Sequence, residues 1–176
     1  MKIDELIIEY LSRSITDVFS TMLGVDLGVG EISVENSAPE ANDGVVSFIG
    51  LAGSWVGTGS LACSPVLACR ICDHMLMTET SAVNEEVLDA VAELTNMIVG
   101  SVKTELEKHV GPLGLSIPTV VFGRNFKTKS AGTNEWTVAR FHWDGELLLV
   151  KVCLAPKERA AHAVYHSIPQ ACGIEV

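Results

Sequence analysis

Apolar residues recur at helical spacing from the start of the chain, at Ile3, Ile7, Tyr10, Val18 and Met22, and the run stops at Gly24. This pattern predicts an amphipathic helix from Ile3 to Leu23. The period then drops to two. Glu31 to Asn36 alternates as a short strand, and Val45 to Leu51 and Trp55 to Ser64 read as paired strands turning near Gly53-Ser54. Ser64-Pro65 opens a short helix to about Met77, with proline in its favoured first position. The helical period returns from Asn84 to Gly111, where Val87, Val91, Leu94, Ile98, Val102 and Leu106 form one apolar stripe. Asn84 suits the N-cap, Glu85 and Glu86 the positive end, Lys108 and His109 the negative end, and Gly111-Pro112 closes the segment. Ile117 to Gly123 reads as a strand. Glu135 to Trp143 and Glu146 to Leu154 read as two more, joined by the hairpin signal Asp144-Gly145. Lys127 to Asn134 reads as a loop, and Pro156 starts a further helix to about Tyr165.

The same order occurs twice: long helix, strand, hairpin, proline-led helix. The chain is therefore expected to be one domain, 1–176, made of two pseudo-repeats at about 3–77 and 85–165, rather than a solenoid. The fold class is α/β in the broad sense (α+β), with long helices packed on an antiparallel sheet. Sliding one long helix over the other places Glu9 and Ser12 where Glu93 and Asn96 stand.

Composition narrows the functional classes. The length suits one domain with a core, and 48% apolar against 19% charged residues predicts folding. A net charge of -10, with no run of Lys and Arg, argues against nucleic acid and against anionic membranes. No stretch reaches 18 uninterrupted apolar residues, and the acidic amphipathic start is not a signal peptide. Five cysteines without a scaffold spacing point to a reducing cytoplasm.

The candidate chemistry lies on the helix from Asn84 to Gly111. Asp89, Glu93 and Asn96 follow the spacing Asp-x-x-x-Glu-x-x-Asn, which places them on one side, away from the apolar stripe. A carboxylate can grip a lysine, and a carboxamide beside it can hold a water in line for attack. Taken alone, Glu-x-x-Asn is as readily a solvated helix face. Gly100 lies on the same face one turn on. It serves either close helix packing or the close approach of a partner's backbone. Cys69 and Cys72 form a Cys-x-x-Cys without two further ligands, so buried thiols are the favoured reading. His162 and His166 lack a zincin pattern, and Gly57 and Gly59 lack the rest of a phosphate loop. The three tryptophans read as core or rim aromatics, and no metal site is expected.

The run Asp89-Ala-Val-Ala-Glu93-Leu-Thr-Asn96-Met-Ile-Val-Gly100, followed by Leu115-Ser116-Ile117-Pro118, resembles the CheC/CheX/FliY phosphatases of bacterial chemotaxis. That family is marked by an acidic or serine residue, Glu and Asn on one helix, with a proline beyond the helix end. Pro118 fits the proline. One complete motif, with Glu9 and Ser12 in the other copy, looks like CheX-type members rather than CheC-type members, which usually carry two. The resemblance implies a phosphatase that removes the phosphoryl group from the aspartate of a CheY-like response regulator. It implies that Asn96 orients the attacking water, that Glu93 pairs with the regulator's lysine, and that Asp89 flanks the site; Gly100, on the same face, would let the partner's backbone approach closely. Magnesium would sit on the regulator, with no cofactor of the protein's own. The family's fold is similar to the middle domain of a flagellar switch protein, and its members tend to form homodimers. For this chain a strand edge, Glu146 to Leu154 or Val45 to Leu51, is the expected dimer contact. The competing reading is a non-catalytic binding module for a response regulator or flagellar switch component.

Overall fold

A computed structural model describes residues 2–28, 30–36, 43–126 and 135–158. The first helix, α1 (Ile3–Val18), widens into a π-turn (Phe19–Leu23) that ends on Gly24 at φ 66°. The extra residue in the π-turn shifts the helical phase. Leu23 is buried in consequence, and Met22, expected in the apolar stripe, is 46% exposed. The other elements are β1 (Glu31–Glu35), β2 (Asp43–Gly53), β3 (Trp55–Cys63), α2 (Pro65–Leu76), α3 (Glu85–Val110), β4 (Leu113–Leu115), β5 (Thr119–Arg124), β6 (Trp136–Trp143) and β7 (Glu146–Pro156). Only Lys157 and Glu158 of the helix expected after Pro156 are described; the rest of it, the loop 127–134 and the pair His162 and His166 lie outside the described residues.

The strands form one antiparallel sheet in the order β1-β6-β7-β3-β2, with β4 and β5 both on the outer edge of β2. The two hairpins, β2–β3 and β6–β7, meet at the centre through β3 and β7. Each hairpin is flanked by the lone strand that belongs to the other half of the chain. This arrangement corrects the expected dimer edges. Val45–Leu51 lies inside the sheet, because β2 is bonded to β3 on one side and to β4 and β5 on the other. Most of Glu146–Leu154 is likewise enclosed, between β3 and β6. Among the described strands, the free edges belong to β1 and to β4–β5.

The outer edge also departs from the expected single strand at Ile117–Gly123. Leu115 lies opposite Leu51, and Thr119 opposite Phe48. Three steps along β2 are thus matched by four along its partner, so β4 and β5 are one edge strand interrupted by a β-bulge at Ser116–Pro118. The facing pattern agrees. Leu113 and Leu115 pack toward the helices before the bulge, and Val120 does so after it, so the parity has flipped. Proline is tolerated at such a place because no ladder hydrogen bond is asked of it.

The three described α-helices lie on one face of the sheet over the main core, and a smaller cluster around Val46, Trp136, Val138 and Leu149 occupies the other face. Lys151 is buried on this second side, 5.9 Å from the Trp136 ring centre, and burial pushes its ammonium pKa down. α1 runs antiparallel to α3, joined by Tyr10 to His109 at 3.0 Å, Arg13 to Glu105 at 3.2 Å and the Ser14 hydroxyl donating to the Ile98 carbonyl at 2.8 Å. Trp143 and Trp136 are buried and Trp55 half-buried. Trp143 meets Phe19 and His74 edge-on, and Arg70 stacks on it. Among the described residues, no helix is long and apolar enough to cross a membrane.

Gly59 decides how closely α3 approaches the sheet. A Cβ added there would come within 2.6 Å of Val99 Cγ2 on α3 and 3.2 Å of Ile49. The Gly57 position is tighter still, with an added Cβ 2.0 Å from the Cys153 carbonyl oxygen, so both glycines serve close packing. Gly59→Ala is expected to lower folding stability by about 1–3 kcal/mol through overpacking. A urea titration with the slope unchanged and the midpoint reduced is the expected result; an unchanged midpoint contradicts this account of the helix seat.

Candidate functional site

The candidate site is the solvent side of α3. Its helix starts where the Val87 N–H donates to the Asn84 side chain at 2.9 Å, and ends at Gly111, φ 80°. Every residue of the predicted stripe is buried: Val87, Val91, Leu94, Ile98, Val102 and Leu106. Burying that stripe turns the opposite face outward. Asp89 and Glu93 are exposed, and Asn96 and Gly100 are half-buried. The four therefore lie along one face, with Asp89, Glu93 and Asn96 about 5–6 Å apart between successive Cβ atoms. Neither carboxylate forms an ion pair, and the Asn96 carboxamide makes no hydrogen bond, among the described residues. These polar groups are thus available to an incoming molecule.

Two buried hydroxyls bond to the α3 backbone at this level. Ser14 of α1 donates to the Ile98 carbonyl and ties the two helices together, while Thr95 donates at 2.7 Å to the Val91 carbonyl one turn back in its own helix. Sequence reading missed both, since Ser and Thr within a helix give no local sign of whether they bond inward or face water. Beyond the helix, the Glu107 carboxylate accepts from the Leu113 N–H at 2.8 Å and pairs with Lys103 at 3.0 Å. The Leu113 bond, with Lys103 adding to it, holds the Glu107 carboxyl below the usual carboxylate range. This clamp turns the chain back so that β4 runs beside α3. Pro118 is brought to the same side, half-buried at the end of the bulge.

Gly100 faces Leu115: an added Cβ would stand 3.7 Å from Leu115 Cδ1, an ordinary contact. Close packing therefore does not require glycine here, in contrast to Gly59. Glu9 and Ser12 lie instead on α1, lining a separate groove with Arg13, Asp17 and Ile32. They do not join the α3 face.

The remaining candidates do not assemble into a site. Cys69 is half-buried, Cys72 is buried, and both are free thiols; burial raises the Cys72 pKa. Cys63, deeply buried nearby, has its thiol pushed up to about 12, chiefly by burial. Among the described residues, no group of three or more His, Cys, Asp or Glu is placed to hold a metal ion.

Among the described residues, three α-helices on one face of a seven-stranded antiparallel sheet, with an acid and an amide on the outside of the longest helix, define an α+β class. Known proteins place it more closely. The family model for chemotaxis phosphatase CheX matches residues 45–142. The CheY-P phosphatase CheX of Thermotoga maritima is 30% identical over 131 residues, covering 73% of this chain and 83% of that protein. The crystal structure of chemotaxis protein CheX from Vibrio vulnificus superposes with a TM-score of 0.73 at 25% identity, covering 85% of this chain and 99% of that one. The CheX component of the Borrelia burgdorferi CheX-CheY-BeF3-Mg2+ complex shares the fold, with a TM-score of 0.68 at 24% identity, 84% of this chain and 97% of that one. The chain belongs to the CheX family of chemotaxis phosphatases.

Gly100→Ala is expected to stabilise the isolated protein by about 0.5–1 kcal/mol, because alanine is the better helix former and its methyl group fits against Leu115. Urea denaturation of the variant checks this, and a fall in stability shows that the helix needs the glycine for itself.

Proposed function

We propose that this protein hydrolyses the aspartyl phosphate of a CheY-like response regulator, with the exposed face of α3 entering the regulator's active site. The observation that carries the proposal is the free, adjacent presentation of Glu93 and Asn96 on a helix whose other side is locked in the core. Family membership supports the reaction class, and the names of the Thermotoga and Borrelia proteins support the partner. Asn96 accepts and donates at once, so it can orient a water toward phosphorus while bonding the phosphoryl group or a neighbouring acceptor. Glu93 pairs with the regulator's lysine and sets the docking register, flanked by Asp89, while Gly100 gives the partner's backbone room. Pro118 shapes the adjoining strand edge. The magnesium ion belongs to the regulator.

Phosphoryl transfer asks mainly for positioning and charge compensation. An acyl phosphate is already reactive, so a hundredfold acceleration requires only about 2.7 kcal/mol of barrier reduction. One oriented amide and one docking ion pair are commensurate with that. The binding-module alternative leaves the Asn96 carboxamide without a task, which favours the enzyme. The same reading treats the chain as one cytoplasmic domain of two pseudo-repeats.

Asn96→Ala is expected to cut the regulator's dephosphorylation rate about 10- to 100-fold (about 1.4–2.7 kcal/mol) with little change in affinity. Glu93→Ala should weaken both turnover and binding. Decay of the phosphorylated regulator, followed with each variant, tests the assignment. Binding without accelerated decay by the unaltered protein selects the adaptor instead. Homodimerisation belongs to this proposal as well, through the free edge of β1 or β5 rather than through β2 or β7. Light scattering at micromolar concentration should give about twice the 18.8 kDa of one chain; a single-chain mass removes the dimer.

A further inference from the structure

Ile117 is 87% exposed, yet it sits in a tightly held piece of backbone. The bulge that ejects it is stapled by its neighbour. The Gly50 N–H donates to the Ser116 hydroxyl at 2.8 Å, and the Ser116 N–H donates to the Gly50 carbonyl at 2.9 Å. The same hydroxyl donates to the Ile117 carbonyl at 3.0 Å, and Pro118 restricts the next φ. A large β-branched apolar side chain is thus held in water by a bonded frame, where a mobile loop would let it fold back.

Its position relative to α3 follows from the chain path. α3 and the returning edge strand run in opposite directions from the Glu107–Leu113 clamp, and Gly100 lies over Leu115. Two residues further along the strand advance about 6.6 Å. Four residues back along the helix advance about 6 Å. Ile117 therefore comes level with Asn96. Had the register of β4 continued, position 117 would share the helix-facing side of Leu113 and Leu115; the one-residue bulge re-aims it into solvent at the height of Asn96.

We infer that Ile117 is an apolar docking anchor for the phosphorylated response regulator, setting affinity while Asn96 sets turnover. This rests on the reading of α3 as the regulator-facing site. The acid face of α3 provides charge for a lysine, with its apolar neighbours Leu88, Ala92 and Met97 already half-buried. Interfaces draw most of their affinity from a few desolvated side chains at the centre. Ile117 supplies such a side chain at the edge of the polar group, and its fixed backbone leaves little order to be acquired on binding. The partner must present an apolar patch beside its phosphorylation site.

The test uses the full chain and the CheY-type regulator that the unaltered protein dephosphorylates. Turnover is measured on the phosphorylated form, and binding on the form held by beryllofluoride and magnesium. Ile117→Ala and Ile117→Thr should raise KM and Kd about tenfold, as expected for an apolar side chain buried on docking, with kcat within about twofold. Ile117→Val should keep wild-type values, which separates lost apolar contact from altered backbone preference, since Thr and Val share β-branching. Melting temperatures should be unchanged, because the side chain is already in water. Unchanged KM and Kd in Ile117→Ala, alongside an impaired Asn96→Ala, refute the anchor alone. A fall in kcat at constant KM refutes it equally. Full activity in Asn96→Ala overturns the α3 site and the anchor with it.

Discussion

The seating of α3 on the sheet is the constraint from which the rest follows. Gly59 removes a side chain where Val99 must enter, and the stripe from Val87 to Leu106 fills the space between. With one side of a 26-residue helix immobilised, the other side becomes a rigid rail. A rail of that kind can hold an acid and an amide at fixed separation without any pocket. In the proposed function the chemistry is completed by another molecule, which brings the phosphoryl group, the metal and the lysine. A protein of this design needs little more than position, and position is what close packing supplies.

Polar bonds also fix α3. Ser14 reaches across from α1 to the Ile98 carbonyl, and Glu107 turns the chain into β4. Neither bond uses Glu93 or Asn96. They limit how α3 can rotate or slide. The edge strand adds a second surface to the rail. Its bulge gives up one ladder position, and the Ser116 hydroxyl compensates by satisfying the Gly50 amide.

The sheet order explains why the fold holds as one body. Each lone strand leaves its own half of the chain and flanks the hairpin of the other: β1 joins β6, and β4–β5 join β2. The contact between halves is therefore a continuous hydrogen-bonded sheet and a shared helical layer. The first long helix, with Glu9 and Ser12 on its outward side, contributes structure to α3 through Ser14 and Arg13.

The helices, both hairpins and the outward set Asp89, Glu93, Asn96 and Gly100 were legible in the residues, because period 3.6 and period 2 are local consequences of burying one face. Motif spacing grouped Asp89, Glu93 and Asn96 on one face for the same reason: residues three and four apart on a helix share a side. The π-turn that exposes Met22, the short β4 and the bulge at Ile117 were not legible, since each depends on a one-residue shift that local pattern tolerates either way. Nor could pairing partners be read. Val45–Leu51 and Glu146–Leu154 have the composition of strands, but whether a strand is an edge depends on which distant segment hydrogen-bonds to it. The chain by itself thus determined which residues face outward on α3. Tertiary structure alone decided how close α3 comes to the sheet, which edges remain open and that Ile117 is turned into solvent, because those outcomes arise from contacts between residues far apart in sequence.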